Sequence, residues 1–301
     1  MKHTKKVIFI LMIILVLLIT ACSSGNKAQG LFKTNVLTPV NSNKIVYQNS
    51  SVTIDASNIS QGYIMVKFKS ETDKKIKVQI NKDGDTYTYD LPADGSYSVL
   101  PLTQGNGVYK VKVFENVVNS QYALAYQKSI TVKLENEYLP FLYPNQYVNF
   151  TKDSQTVKKA EEIAKDAQDE LEVVSTIYNY VINNFKYDYD KAQTVKSGYL
   201  PDVDNILKTK KGICFDYTAV MCCMLRSLGI PTKLVIGYMG NIYHAWISVY
   251  IKDIGWVNNI IQFDGKDWKL MDPTLDSTSN SDKDVIKKIN EGVNYKEKYA
   301  Y

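Results

Sequence analysis

The sequence predicts an α+β fold in which an all-β, antiparallel sandwich precedes a domain of helices packed on an antiparallel sheet. Three observations carry that expectation. Apolar residues recur with a period of two from about Asn35 to Leu134, the mark of half-buried strands. After about residue 150 the period changes to 3.6, the mark of amphipathic helices. Strand-like runs then return between Lys233 and Met271. A chain of 301 residues has room for two cores.

The chain opens on an address. Lys2, Lys5 and Lys6 form a basic head, and Val7 to Thr20 form an apolar run. That run is shorter than the ~20 residues that span a bilayer, so residues 1–21 read as a signal peptide. Ile19-Thr20-Ala21-Cys22 places small residues before a cysteine. This ending resembles a bacterial lipobox, in which Cys22 becomes the lipidated first residue. Residues 22–34, beginning Cys22-Ser23-Ser24-Gly25, are then expected to be a flexible tether. The expected location is the extracytoplasmic face of a bacterial cell membrane, anchored through a lipid on Cys22. Removing residues 1–21 leaves 33 cations against 31 acids, a net charge of +2. So small a surplus gives no argument for a nucleic-acid partner. Arg226 is the only arginine, so bidentate phosphate forks are scarce as well.

The sandwich is expected over residues 35–135. Ile64, Val66 and Phe68 recur at every second position, with Lys67 and Lys69 between and after them, and Ile76, Val78 and Ile80 do the same around Lys77 and Gln79. Tyr87, Tyr89 and Leu91 come next, then Val111 and Val113, then Ile130, Val132 and Leu134. Asp83-Gly84 is a hairpin turn between two of these runs, and Gly105-Asn106-Gly107 marks another break. The pattern fits an Ig-like or fibronectin-like sandwich. It holds no constellation of reactive residues, so its default role is a spacer or a binding module. Residues 136–150, with Pro140 and Pro144, read as a linker.

Residues 151–301 form the second domain. Ser154 to Lys165 is a short helix. Asp169 and Glu172 resemble a capping box, after which Leu171, Val174, Ile177, Val181 and Phe185 trace one apolar face. Tyr187 to Gly198 reads as a loop. Gly212 breaks the chain before a helix over Phe215 to Leu228, which stops at Leu228-Gly229-Ile230-Pro231. Cys214 is therefore expected at the start of that helix, where free N–H groups and the macrodipole favour a thiolate. Lys208, Lys210 and Lys211 lie near it in sequence. Lys233 to Tyr238 and Ile242 to Ile251 are strands turned at Gly240-Asn241, with His244 near one end of the second. A further hairpin, Trp256 to Phe263 and Trp268 to Met271, turns at Asp264-Gly265 and delivers Asp272. Past Asp276 the chain is polar, with a short helix around Val285 to Ile289 and a terminal strand.

The chemistry concentrates in three places. Without residues 1–21, His244 is the sole histidine. With Cys214 and Asp272 it offers thiol, imidazole and carboxylate in the chain order Cys, His, Asp. An imidazole takes the proton of a thiol, and a carboxylate holds the ring in the useful tautomer. Cys214 and Cys222 on one helix lie roughly 12 Å apart at 1.5 Å per residue, too far for a disulfide. Cys214 should stay a free thiol, with Cys222 and Cys223 as core packing. The spacing of Cys and His fits no metal site, and no EF-hand loop is present.

The stretch from about Leu171 to Thr274 resembles the transglutaminase-like superfamily, which is papain-like in its core. The matching motifs are Gly212-x-Cys214-x-x-Tyr217, Leu228-Gly229-Ile230-Pro231, Gly237-Tyr238, His244-Ala245-Trp246 and Asp272-Pro273-Thr274. The resemblance implies Cys214 as nucleophile, His244 as general base and acid, and Asp272 as the group orienting His244. It implies acyl transfer from protein or peptide amides through a thioester; the lipobox-like ending sets the expected substrate at the cell envelope, and no cofactor is expected. Hydrolysis or protease-like activity is expected slightly ahead of cross-linking, because no acceptor-amine site can be read. Tyr187 and Tyr189 are candidates for the second oxyanion donor, and Trp246 for a wall beside His244. A non-catalytic envelope binding protein that retains the triad is the alternative.

Overall fold

The computed structural model describes residues 32–257, 261–263, 268–270 and 295–301. Cys22 and the signal segment, the Asp264-Gly265 turn, Asp272 and the expected helix around Val285 to Ile289 lie outside the described residues.

The fold is α+β. Its N-terminal part holds two antiparallel sheets. One contains β1 (Val46–Gln48), β2 (Val52–Asp55), β3 (Tyr63–Phe68) and β6 (Ser98–Pro101), in the order β1-β2-β3-β6. The other contains β4 (Ile76–Lys82), β5 (Asp85–Leu91), β7 (Gly107–Val118) and β8 (Gln121–Val132), in the order β5-β4-β7-β8. The chain changes sheet after β3, β5 and β6, which gives the Greek-key connections of the expected sandwich. Alternation drives the packing: Ile76, Val78 and Ile80 of β4, Tyr87, Tyr89 and Leu91 of β5, and Tyr109, Val111 and Val113 of β7 are all buried. Asp83 and Gly84 both take positive φ, as a tight two-residue hairpin requires. The Tyr109 hydroxyl donates to the Gly105 carbonyl at 2.7 Å, the corner bond typical of such sandwiches.

The segment expected as a linker is packed. Pro140 and Phe141 are buried in a 3-10 turn, and Val148 and Phe150 join the main core. Gly62 makes room for this turn, since a Cβ there would meet Pro140 Cγ at 2.4 Å. The packed chain also begins before Asn35. Phe32 rests on the core, and the Thr34 hydroxyl donates to Glu161 at 2.6 Å.

Helices α1 (Gln155–Ala164), α2 (Glu170–Asn184), α3 (Tyr189–Thr194), α4 (Val203–Thr209) and α5 (Cys214–Ser227) come next. Asp169 caps α2 through the Glu172 N–H at 2.8 Å, while the Glu172 carboxylate reaches the Gln168 N–H instead of that of Asp169. Leu171 is only partly buried, and Val173 and Tyr178 take up core positions on α2. The stretch that reads as a loop in sequence contains α3. It also holds the end of β9 (Lys186–Tyr187), which pairs in parallel with β10 (Lys211–Gly212).

Helix α5 is buried almost throughout and packs on a four-stranded antiparallel sheet. That sheet contains β11 (Thr232–Met239), β12 (Ile242–Ile251), β13 (Gly255–Val257) and β16 (Tyr295–Ala300), in the order β13-β12-β11-β16. The hairpin expected from Trp256 is divided. Trp256 belongs to β13 beside β12, whereas β14 (Ile261–Phe263) and β15 (Trp268–Leu270) pair only with each other among the described residues. Among the described residues, β15, the strand before Asp272, is therefore not a neighbour of β12, which carries His244. Arg226, 1 % exposed, fastens several of these parts. Its guanidinium donates to the carbonyls of Thr232, Tyr143 and Tyr301 at 2.9, 2.8 and 2.6 Å.

Candidate active site

Cys214 is the first residue of α5. The leading N–H groups of a helix have no carbonyl partner within it, and the positive end of the macrodipole lies there. The thiol is free and partly exposed. His244 is the third residue of β12, directly opposite Gly237 of β11. Cys214 and His244 line one cavity of about 440 Å³.

Glycine at 237 has a local cause. A Cβ there would lie 2.1 Å from the Lys296 carbonyl oxygen and 2.8 Å from Cη2 of Trp246. The missing side chain lets β16 cross and admits the indole. Trp246 in turn lies nearly parallel to the His244 ring, at 6.4 Å between centroids and 24°. Trp246 thus backs His244, in keeping with its place in the motif.

The start of α5 is held from below. Asp216 is fully buried and accepts the Ile213 N–H at 2.9 Å, the Tyr199 hydroxyl at 2.6 Å and the Lys191 ammonium at 2.6 Å. Gly212 is required by this side chain, because a Cβ would sit 2.6 Å from that of Asp216. Burial and the neighbouring Asp216 charge push the Tyr199 hydroxyl far up, so it remains a donor. No local motif announces this latch. The cation paired with Asp216 is Lys191 of α3, while Lys211 pairs with Asp188 at 3.0 Å and Lys210 turns the chain in a left-handed conformation.

Tyr187 and Tyr189 part company. The β9–β10 bridge sets Tyr187 opposite Gly212, two residues before the thiol, and its ring lines the cavity. Burial, aided by the nearby Cys214, pushes its hydroxyl up to about 12. Tyr189 is 62 % exposed and packs edge-on against Tyr187. Cys222 and Cys223 are sealed in the core, where burial pushes Cys222 up to about 12 and Cys223 in the same direction.

Residues 157–259 match the family model of the transglutaminase-like superfamily. This segment is a transglutaminase-like superfamily domain. The match takes in Cys214 and His244 and ends before Asp272. The uncharacterized protein YebA of Bacillus subtilis is 30% identical over 115 residues, covering 32% of this chain and 16% of that protein. The UPF0252 protein MJ1282 of Methanocaldococcus jannaschii is 32% identical over 96 residues, covering 28% of this chain and 27% of that protein. The matched segment thus spans only a minor part of the length of either relative. Among solved structures, a candidate cysteine protease from Cytophaga hutchinsonii aligns with a TM-score of 0.39 at 16% identity, covering 85% of this chain and 73% of that one.

Proposed function

We propose that this protein is an extracytoplasmic, lipid-anchored thiol enzyme that acts on protein or peptide amides through a thioester on Cys214. The observation that carries the reading is the shared cavity of Cys214 and His244 within a transglutaminase-like domain. In the proposed cycle His244 takes the thiol proton, and the sulfur attacks the amide carbonyl carbon. The C–N bond breaks, and the proton passes from His244 to the departing amine or ammonia. Water, or less readily an amine, then attacks the thioester. His244 removes the attacking proton, and the thiolate is regenerated. Asp272 is proposed to orient the imidazole.

The oxyanion that forms twice in this cycle needs donors placed in advance. The Cys214 N–H at the helix start is one. The Tyr187 hydroxyl, held protonated beside the thiol, is the second we favour. Anchorage through Cys22 rests on the lipobox-like ending of residues 19–22.

The test is trapping. Wild-type protein mixed with envelope extract and quenched in acid should yield a peptide containing Cys214 that carries a hydroxylamine-labile acyl group, read by mass spectrometry. Iodoacetamide near neutral pH should alkylate Cys214 selectively, and more slowly in His244→Ala. Equal, sluggish labelling of every thiol and no acyl adduct would reject the enzyme.

A further inference from the structure

The cavity has one wall that the transglutaminase-like domain does not support alone. Tyr147, from the segment before α1, and Tyr299, from β16, line it together with Tyr301. Tyr301 is the keystone. Its ring lies 4.3 Å from that of Tyr147 and 5.3 and 5.8 Å from those of Tyr87 and Tyr89, both on sandwich strand β5. Its backbone is fixed by exchange of hydrogen bonds with Leu234 and by Arg226. Strand β5 also reaches the wall by polar contacts. The Tyr87 hydroxyl accepts the Ala300 N–H at 3.2 Å, and the Tyr147 hydroxyl donates to the Thr88 carbonyl at 3.2 Å. Tyr147 continues toward Phe215, next to the nucleophile, at 6.0 Å.

We propose that Tyr147 and Tyr299 form a subsite for an aromatic or large apolar side chain next to the scissile amide, with β5 of the sandwich as its foundation. The sandwich is thereby a working part of the active site. The chemistry of the wall selects the ligand. Its residues are flat rings, and burial pushes the Tyr147 hydroxyl up to about 12 and that of Tyr301 in the same direction. Among the side chains of the described residues lining the cavity, Lys196 carries the only formal charge other than any on Cys214 or His244, and none is a carboxylate. Offset and edge-on ring contacts reward an aromatic guest beyond its buried area, and the lack of an acidic side chain among those residues gives a cationic guest no side-chain ion pair. The proposal takes from the acyl-transfer reading only its choice of a peptide amide.

The experiment uses the full chain and two peptide amides that differ only in a Phe or a Gly beside the reacting residue. The wild type should prefer the Phe peptide about tenfold in kcat/KM, carried by KM, the scale expected for burying one aromatic ring. In Tyr147→Ala or Tyr299→Ala that ratio should fall toward one. Tyr87→Phe removes an acceptor outside the cavity and should lower the ratio about twofold. Binding of the same peptides to Cys214→Ala, which needs no turnover, should show the same preference and the same losses. A wild type without a Phe preference, or one favouring a Glu or Lys peptide, overturns the proposal. So does a Tyr147→Ala variant, folded by its melting curve, that keeps the full ratio. If binding to Cys214→Ala discriminates while no acyl adduct forms, the subsite stands and the catalytic reading fails.

Discussion

The first turn of α5 and its middle treat the same side chain in opposite ways. Cys214 at the start is partly open to a cavity that also contains an imidazole. Cys222 and Cys223, two turns on, are fully buried among apolar neighbours. A helix start offers unpaired N–H groups to an anion, whereas the middle of a buried helix offers none. Position along the helix, rather than residue type, therefore separates an accessible thiol from a sealed one. The anchoring differs too. The middle of α5 is held by packing on both sides, but its start depends on a single carboxylate, Asp216, and the three donors that converge on it.

The largest effect on this contrast is expected from Cys214→Ala. It should lower amide turnover by about ten-thousandfold or more, some 5.4 kcal/mol of barrier, while the melting temperature stays within about two degrees, as for a surface change. Retained turnover would move the nucleophile elsewhere. Asp216→Ala comes next, since it strands the Ile213 N–H and the Tyr199 hydroxyl and unpairs Lys191. A loss of about 3–5 kcal/mol is expected for removing one partner of a buried ion pair, measured by urea unfolding. The surviving folded protein should alkylate at Cys214 more slowly. A loss below about 1 kcal/mol, the scale of an exposed pair, would mean that the latch is ornamental.

Alkaline pH probes the inert thiols directly. The folded pKa of Cys222 is raised from 9.0 to about 12, and that of Cys223 rises in the same sense. Below pH 9 both folded and unfolded chains keep these protons, and the stabilisation is complete. Above it the unfolded chain releases protons that the folded chain retains, so stability falls by up to about 1.4 kcal/mol per pH unit for each group until the folded pKa is passed. Tyr89, raised well above 10.0, adds in the same direction at higher pH. Flat stability from about pH 9 to 11 would contradict the burial of these thiols. The smallest effect belongs to Cys222→Ala, expected to cost about 1 kcal/mol of stability through the void it leaves and to leave turnover nearly untouched.

Local signals made the centre of this site legible. A glycine before Cys214, a helix stopped at Gly229-Ile230-Pro231 and a turn at Gly240-Asn241 place the thiol and the imidazole at the ends of their elements without any tertiary knowledge. What the sequence concealed is held by contacts between distant positions. Lys191 and Tyr199 precede Asp216 by 25 and 17 residues, in a stretch whose six-residue helix is too short to show a period. Tyr187 reaches the thiol through a parallel bridge of two residues, which no alternation announces. Strands β1, β2 and β6 are three or four residues long, too short for alternation to mark them in the sandwich. Trp256 reads as the start of a hairpin with Phe263 because its three-residue strand carries no turn signal strong enough to separate it from β14.

The bond between the Tyr87 hydroxyl and the Ala300 N–H joins residues 213 positions apart. A ribosome must therefore pass residue 300 before the pocket beside the thiol can close, and long-range pairings of this kind form late and slowly. A nascent chain thus carries Cys214 and His244 well before it carries the closed pocket around them. On dilution from denaturant, recovery of Cys214 labelling by a pocket-directed reagent should lag behind the far-ultraviolet signal. Simultaneous recovery would show that β16 docks early.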